Sequence, residues 1–229
     1  MKKIIILVLT YDDGGGYSDM DNIVRNTWGT QYNDNVKIYY YYAKLLGDSE
    51  YIIDGDKIYC NGNESLSTIG EKTIKALKYL INEDFDYLVR PNSSSFIHIP
   101  NLIKYLNDKP TERFYSGQPI PYHTNQFSMY FASGSSYILS KDLVEYVVKN
   151  SDKWNHLYQD DVSIGELIIK HGVELTPYEW LKINEIPDEN ILNDIKDKFQ
   201  IRCKIETRFD IDEQVKMFKK LNKLIYNKD

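Results

Sequence analysis

The acidic pair Asp160-Asp161 is the clearest candidate for chemistry in this sequence. A glycosidase needs two carboxylates that face one bond from opposite sides, about 5 to 10 Å apart. Adjacent residues at a helix start point in different directions, so the pair suits one functional carboxylate with a capping neighbour. Because the helix dipole keeps such a carboxylate ionised, it can accept a proton as a general base. Two aspartates that only cap a helix are the alternative.

A cluster of polar residues follows the apolar run Phe85 to Val89. The run is rich in β-formers and predicts a buried strand, which Pro91 should end because proline cannot donate to a ladder. Arg90 and the four small polar residues Asn92 to Ser95 then stand at the carboxyl end of that strand. Ligands of open α/β sheets bind beyond these ends, so the cluster indicates a site for a polar ligand. A serine-rich turn after an edge strand is the alternative.

The elements that must position these residues alternate between strands and helices, which predicts an α/β fold with a mostly parallel sheet. The segment Gln118 to Gln126 contains two prolines and predicts a long loop. Strands are expected at 4–9, 36–42, within 51–60, at 85–89, 114–117, 173–177 and 201–205, and helices are expected to start near residues 18, 68, 100, 140, 160 and 210.

Composition excludes several classes of protein. The chain has 229 residues, enough for one domain with a real core, and its net charge of -6 argues against nucleic acid as the main partner. Its two cysteines lie far apart and indicate neither a zinc site nor a disulfide framework. No stretch approaches the roughly eighteen apolar residues of a membrane span. The GxGxxG and GK[ST] fingerprints are missing, and the apolar start is too short for a signal peptide.

Five short segments occur in a characteristic order, and they run from Arg25 to Trp28, Glu71 to Thr73, Arg90 to Phe96, Phe131 to Ser140 and Asp160 to Gly165. They resemble the β1,3-galactosyltransferase and fringe group of GT-A glycosyltransferases. Members carry R-x-T-W, a K-T helix start, K-x-D-D-D-x-F at a strand end, s-G-x-x-Y-v-l-S and E/D-D-V-x-x-G. The resemblance covers about residues 4 to 178, and the last two motifs with their spacing are its specific part.

The resemblance implies a GT-A-type, Rossmann-like α/β fold with a mostly parallel central sheet flanked by helices, in one domain over 1–229. Residues 1–97 would form the nucleotide-sugar-binding half, and residues 98–229 the acceptor-binding and catalytic half. It also implies an inverting transfer from a UDP-sugar, of the glucose, galactose or N-acetylglucosamine type, to a glycan, lipid or protein acceptor. No nucleic acid partner and no membrane span are expected.

Roles carry over position by position. Asp161 matches the acid that deprotonates the acceptor hydroxyl, with Asp160 beside it at the acceptor. Gly134 and Ser135 match the segment that lets the acceptor and the donor sugar approach the backbone. The residues expected at the donor are Thr10, Tyr11, Arg25, Lys72, Arg90, Asn92, Ser93, Ser94, Arg202 and Lys204.

The sequence departs from the group where a metal should bind. The group's three aspartates, which hold a divalent ion, are Asn92, Ser93 and Ser94 here. Neutral amide and hydroxyl groups are poor ligands for a hard cation, and no histidine follows His171 to supply a late ligand. We therefore expect no required cofactor, with Mn²⁺ or Mg²⁺ as the ion to test. A second departure is Asp21, where members often carry an arginine.

Fixed cations can offset the charge of a leaving diphosphate in place of a metal. Arg90 replaces the group's lysine, and Arg202, Lys204 and Arg208 follow late in the chain. Arginine suits bidentate contact with phosphate. An ordinary exposed strand is the alternative for the late cations.

The first hypothesis is an inverting glycosyltransferase that is metal-independent or weakly metal-assisted, with Asp161 as its base. The alternative is a catalytically degenerate protein of the same fold that binds nucleotide or glycan without turnover, and the loss of the three aspartates favours it. A carboxylate-pair glycosidase ranks last. Secretory members of the group usually carry a membrane anchor, and this sequence shows no apolar stretch of that length. We therefore expect a cytoplasmic enzyme of a microbe or of a virus-infected cell.

Overall fold

An eight-stranded sheet forms the centre of the fold in the computed structural model, which describes residues 1–11, 16–123, 128–204 and 210–227. The strands are β1 (Ile4–Leu9), β2 (Val36–Lys44), β3 (Tyr51–Asp54), β4 (Lys57–Asn61), β5 (Tyr87–Pro91), β6 (Ser95–Ile97), β7 (Tyr115–His123), β8 (Ser128–Ser140), β9 (Leu175–Pro177), β10 (Leu181–Ile183) and β11 (Gln200–Cys203). The helices are α1 (Gly16–Asn26), α2 (Ile69–Leu80), α3 (Ile99–Asn107), α4 (Lys141–Lys149), α5 (Asp160–Lys170), α6 (Ile191–Asp194) and α7 (Ile211–Tyr226).

The central sheet is mostly parallel and flanked by helices, as the alternation of elements predicts. Its strand order is β3-β4-β2-β1-β5-β8-β7-β9, and β1 runs parallel to both of its neighbours, β2 and β5. The carboxyl ends of these three strands therefore meet at one edge. Strand β8 is antiparallel to β5 and to β7, so the long hairpin of β7 and β8 brings the second half of the chain to the same sheet.

The alternating side chains of β1 build the core on both faces of the sheet. Ile4, Ile6 and Val8 pack with residues of α1, α3 and α7, whereas Ile5 and Leu7 pack with residues of α2, α4 and α5. All five side chains are buried, and each contributes about 1.5 to 3 kcal/mol through removal from water. Because a helix layer covers each face, β1 is apolar throughout, and the site residues stand only at its end.

A small second sheet, in the order β10-β11-β6, packs beside the carboxyl end of β5. Strand β6 follows β5 after a turn at residues 92–94, and β11 pairs with it antiparallel. This register sets Arg202 opposite Ser95. A cation from late in the chain therefore lies next to the polar cluster that follows β5.

The predicted loop at Gln118 to Gln126 is wrong over its first two thirds, because residues 118–123 belong to β7. Residues 124–126 lie outside the described part of the chain. The two prolines are tolerated because β9 pairs with β7 only as far as Gly117, so Pro119 and Pro121 stand where β7 has become an edge strand. An edge strand leaves the missing N–H without consequence.

Candidate active site

The carboxylate of Asp161 stands in the first turn of α5 and accepts two backbone hydrogen bonds. Gly134 N–H donates to Oδ2 at 2.7 Å, and Val162 N–H donates to Oδ1 at 2.9 Å. Burial raises the pKa of Asp161 to about 6, and repulsion by the Asp160 carboxylate adds to this, whereas Arg90 and the two N–H donors oppose it. A carboxylate with this pKa is largely ionised at neutral pH and is more basic than an exposed aspartate, as general-base catalysis requires.

A bulge in β8 aims the Gly134 N–H at Asp161. Gly117 of β7 pairs with Tyr137, yet the next pair joins Pro119 to Ala132, so four residues of β8 stand opposite Gln118 alone. Such bulges redirect single residues of a strand. A Cβ atom added at Gly134 would lie 2.6 Å from Asp161 Oδ2, so the carboxylate can approach only because residue 134 has no side chain.

Arg90 lies at the end of β5 beneath this bulge, and its side chain is 1% exposed. Its Nε donates to Tyr41 Oη at 3.0 Å, Nη1 to the Gly134 carbonyl at 2.8 Å, and Nη2 to the Asp160 carboxylate at 2.5 Å. The guanidinium also lies over the Tyr137 ring. Protein atoms therefore enclose the cation, and its predicted contact with a donor diphosphate stays a prediction.

The polar turn after β5 carries a different cation on its surface. Asn92 Oδ1 accepts hydrogen bonds from Ser94 N–H at 3.2 Å and from Ser94 Oγ at 3.0 Å, the arrangement of an Asx turn. Arg202 Nη1 donates to the same oxygen at 2.6 Å, and it also donates to Ser94 Oγ. Ser93, between them, is buried. The positions matched to metal-binding aspartates thus hold a half-buried guanidinium.

The turn and the carboxylate are joined through adjacent residues of β8. The Ser135 carbonyl accepts hydrogen bonds from Asn92 N–H and from Ser95 Oγ, both at 2.9 Å, while its neighbour Gly134 binds Asp161. Gln200, which is fully buried at the start of β11, donates from Nε2 to Ser95 Oγ and Ser135 Oγ, each at 3.1 Å. The structure therefore brings the predicted base, the Gly134-Ser135 segment, the turn and Arg202 into one connected site.

Lys72 and Thr10 meet at the end of β1, and the side chain of each bonds to protein atoms. Lys72 Nζ donates to the Thr10 carbonyl at 2.7 Å and pairs with the Glu64 carboxylate at 2.7 Å. Burial lowers the pKa of Lys72, although Glu64 opposes this shift. Thr10 Oγ1 donates to the Tyr41 carbonyl at 2.6 Å. Both side chains therefore hold strand ends in place, and the donor contacts predicted for these two residues stay predictions.

Arg25 is occupied in the same way on the other side of β1. Its Nη1 donates to Asp56 at 2.7 Å, its Nε donates to Asp21 at 3.3 Å, and the guanidinium carbon lies 3.5 Å from the centroid of the Tyr40 ring. The acid at position 21, a departure from the group's pattern, thus neutralises Arg25. The donor contact predicted for Arg25 stays a prediction.

Of the other cations and aromatic residues predicted at the donor, the structure describes Tyr11 and Lys204. Tyr11 is half-buried just beyond β1, and its ring packs against Tyr17 with centroids 5.3 Å apart. Lys204 follows β11, with its N–H bonded to the Ile183 carbonyl at 3.0 Å, and its side chain is half-buried. Arg208 lies outside the described residues. Tyr11 stays a prediction for the nucleoside, and Lys204 stays one for the phosphates.

Three site residues were not found from the sequence, namely Tyr41, Glu64 and Gln200. Tyr41 sits among four consecutive tyrosines of β2, where neither period nor spacing distinguishes it from core residues. Glu64 lies in an irregular segment, and Gln200 precedes an apolar strand without any motif. The β8 bulge had a usable signal, because a glycine among serines inside an apolar strand indicates a bulge or a close approach.

The turn does not fit a divalent metal. Its side chains offer amide and hydroxyl oxygens, and Asn92 Oδ1 already accepts a hydrogen bond from the positively charged Arg202, which would repel a cation. Across the described part of the chain, no cluster of three or more His, Cys, Asp or Glu side chains could hold a metal ion. Residues 92–94 therefore supply none of the carboxylate oxygens that a divalent ion prefers.

An aromatic wall stands beside the start of α5. The rings of Tyr122 and Tyr158 lie 5.6 Å apart at 66°, and Tyr122 also meets Phe131 at 6.2 Å. Met129 and Val162 complete this cluster. Tyr158 precedes the acidic pair by two residues and Val162 follows it directly, so the wall lies at the start of α5.

Comparisons with known proteins agree with the resemblance to β1,3-galactosyltransferases. Residues 118–179 match a family model described as Galactosyltransferase. A lactosylceramide 1,3-N-acetyl-beta-D-glucosaminyltransferase A of Xenopus laevis is 25% identical over 201 residues, which cover 66% of this chain and 50% of that protein. Beta-1,3-galactosyltransferase 1 of Mus musculus is 24% identical over 256 residues, which cover 88% of this chain and 77% of that protein. The chain thus spans about half the length of the first of these relatives.

A solved structure shares the fold across nearly the whole chain. A glycosyltransferase involved in the glycosylation of the major capsid of PBCV-1 aligns with a TM-score of 0.54 at 10% identity, over 95% of this chain and 98% of that one. The GT-A fold class predicted from the sequence is thereby confirmed. Among the described helices, none is both long and apolar enough to span a bilayer.

Proposed function

We propose that this protein is an inverting glycosyltransferase that moves a sugar from a UDP-sugar to an acceptor hydroxyl. Gly134 and Ser135 carry the proposal, because one binds the Asp161 carboxylate and the other binds the polar turn that Arg202 covers. A base and a cation-lined turn are thus held side by side at the carboxyl ends of the strands. Open α/β sheets bind their ligands at this edge, which supports the proposed nucleotide-sugar site.

The proposed reaction uses the two halves of the site in one displacement. The acceptor hydroxyl gives its proton to Asp161, and its oxygen forms a bond to C1 of the sugar. The bond between C1 and the diphosphate oxygen breaks, and its electron pair leaves with UDP. Attack and departure on opposite faces of C1 invert its configuration. We assign the aromatic wall of Tyr122 and Tyr158, at the start of α5, to the acceptor sugar.

Arg202 supports a transfer that needs no divalent ion. UDP leaves with additional negative charge, and a fixed cation placed where that charge develops lowers the barrier. A half-buried guanidinium held by Asn92 and Ser94 is preorganised for this, and its planar fork matches two phosphate oxygens. Lys204, two residues further along, is the second cation assigned to the diphosphate.

Hydrolysis of UDP-glucose, UDP-galactose and UDP-N-acetylglucosamine in EDTA tests the proposal. We expect UDP release from at least one donor, with a loss of 100-fold or more in Asp161→Asn. Asp142→Asn is the matched control, because Asp142 also stands in the first turn of a helix but accepts its hydrogen bonds from Ser140 and Arg113. UDP binding without turnover of any donor would favour the degenerate binding protein, and unchanged turnover in Asp161→Asn would refute the base assignment.

A further inference from the structure

A fully formed ion pair lies buried directly behind the site. The side chains of Arg90 and Asp160 are 1% and 8% exposed, and Nη2 meets Oδ2 at 2.5 Å. Burying two charges costs several kcal/mol per ion, and their attraction often only restores that cost, so such a pair adds little net stability. Its presence beside Asp161 therefore calls for a role other than holding the fold together.

Arg90 touches both groups that flank the Asp161 carboxylate. Through Nη2 it holds Asp160, the residue that immediately precedes Asp161 at the start of α5. Through Nη1 it holds the carbonyl of Gly134 at 2.8 Å, and the N–H of the same residue binds Asp161 at 2.7 Å. One side chain from β5 thus fixes the helix start and the β8 bulge relative to each other, and the carboxylate lies between these two elements.

The pair also dominates the charges that face Asp161. Asp160 on α5 repels the Asp161 carboxylate, and Arg90 on β5 attracts it. Tyr115 of β7 faces it as well, and burial raises the pKa of Tyr115 above its ordinary value, so this phenol is neutral. Burial likewise keeps Tyr137 neutral and raises the pKa of Tyr41 to about 12. The N–H dipoles of residues 134 and 162 also face the carboxylate.

We propose that Arg90 and Asp160 form a positioning pair for Asp161, which fixes the base in place and balances two opposite charges beside it. This inference rests on the proposed function of Asp161. Neither residue touches substrate in the proposal, and both act through the carboxylate. The pair is neutral as a unit, so removal of either partner exposes Asp161 to one uncompensated charge.

The pH profile of UDP-sugar turnover distinguishes this role from a structural one. Asp160→Asn leaves Arg90 unopposed, so the acid limb should move down by about one pH unit or more. Arg90→Met leaves Asp160 unopposed, so the limb should move up by a similar amount. The double variant carries neither charge and should return the limb to within about half a unit of the wild-type position, in the manner of a double-mutant cycle.

If the pair were only structural, the variants should lower the maximal turnover rate without moving the acid limb in opposite directions. If Arg90→Met does not fold, Asp160→Asn and the neutral double variant still test the proposal, because the first must shift the limb down and the second must restore it. Asp142→Asn should leave the limb unmoved. A limb that stays fixed in Asp160→Asn overturns the positioning pair, whereas absence of wild-type turnover would instead refute the proposed function.

Discussion

Replacing Gly134 with alanine perturbs the site at the point where the backbone comes closest to the base. The added Cβ would lie 2.6 Å from Asp161 Oδ2 and 3.0 Å from its Cγ. Ordinary van der Waals contact begins near 3.4 Å, so the carboxylate must retreat by about 0.5 to 1 Å. That retreat breaks or lengthens the hydrogen bond from Gly134 N–H, which now measures 2.7 Å.

The size of the effect follows from the bond that is lost. A hydrogen bond to a charged group contributes about 1.5 to 3 kcal/mol, which corresponds to roughly 10- to 150-fold in rate if it is needed to hold the base in place. Because this N–H stabilises the ionised form of Asp161, its loss should also move the acid limb of the pH profile to higher pH, by up to about one unit. We therefore expect a fall of at least tenfold in kcat/KM, together with an upward shift of the limb.

Gly70→Ala is the matched control for this experiment. A Cβ at residue 70 would lie 2.7 Å from Trp154 Nε1, a clash of similar size that does not involve Asp161. It should lower the midpoint of thermal unfolding without moving the limb. The reasoning would be refuted if Gly134→Ala kept full kcat/KM and an unchanged limb while folding normally, or if Gly70→Ala shifted the limb by as much.

Three further predictions follow from the same contacts. The acid limb of wild-type kcat/KM should titrate near pH 6, so turnover at pH 5 should be about tenfold below its value at pH 7, and a limb near pH 4 would contradict the burial argument. The raised pKa also means that protonated Asp161 stabilises the fold below about pH 4, and that this stabilisation is lost as pH rises through about 6. In urea titrations, the free energy of unfolding of the wild type should fall by about 3 kcal/mol relative to Asp161→Asn over that pH range. Parallel pH dependences of the two proteins would refute this prediction. Lys72→Met should cost about 3 kcal/mol in urea unfolding because it leaves the largely buried Glu64 carboxylate with the Ala43 N–H but without its ionic partner, whereas Lys72→Met with Glu64→Gln should recover much of the loss.

The sequence predicts those parts of the fold in which local pattern and tertiary burial agree. The apolar run at Ile4 is buried on both faces of the sheet, and the acidic pair at Asp160 opens α5, because each segment's composition already matches its environment. The segment from Gln118 predicts a loop because proline disrupts interior strands. In the structure β9 ends at Pro177, so the rest of β7 is an edge strand and tolerates its prolines. The point at which β9 stops pairing with β7 depends on tertiary structure and has no signal in the local sequence.

The site shows the same limit in its charges. Residue type alone indicates that Arg90 could meet a phosphate, but whether a cation faces ligand or protein depends on partners far away in the chain, here Asp160 and Tyr41. Arg25 and Lys72 are likewise bound by protein partners that their residue type does not indicate. Arg202 reaches the polar turn because β11 pairs with β6, a contact between residues more than a hundred positions apart. Such long-range pairings leave no trace in composition or spacing.

The most direct test of the account is calorimetry of UDP and uridine binding to wild type and Arg202→Gln, each in EDTA and in Mn²⁺. If Arg202 takes the place of a divalent ion, wild type should bind UDP at least tenfold more tightly than uridine in EDTA. Mn²⁺ should leave that ratio unchanged, and Arg202→Gln should abolish the preference while uridine still binds. A UDP affinity that rises tenfold or more with Mn²⁺, or that survives intact in Arg202→Gln, would contradict the account.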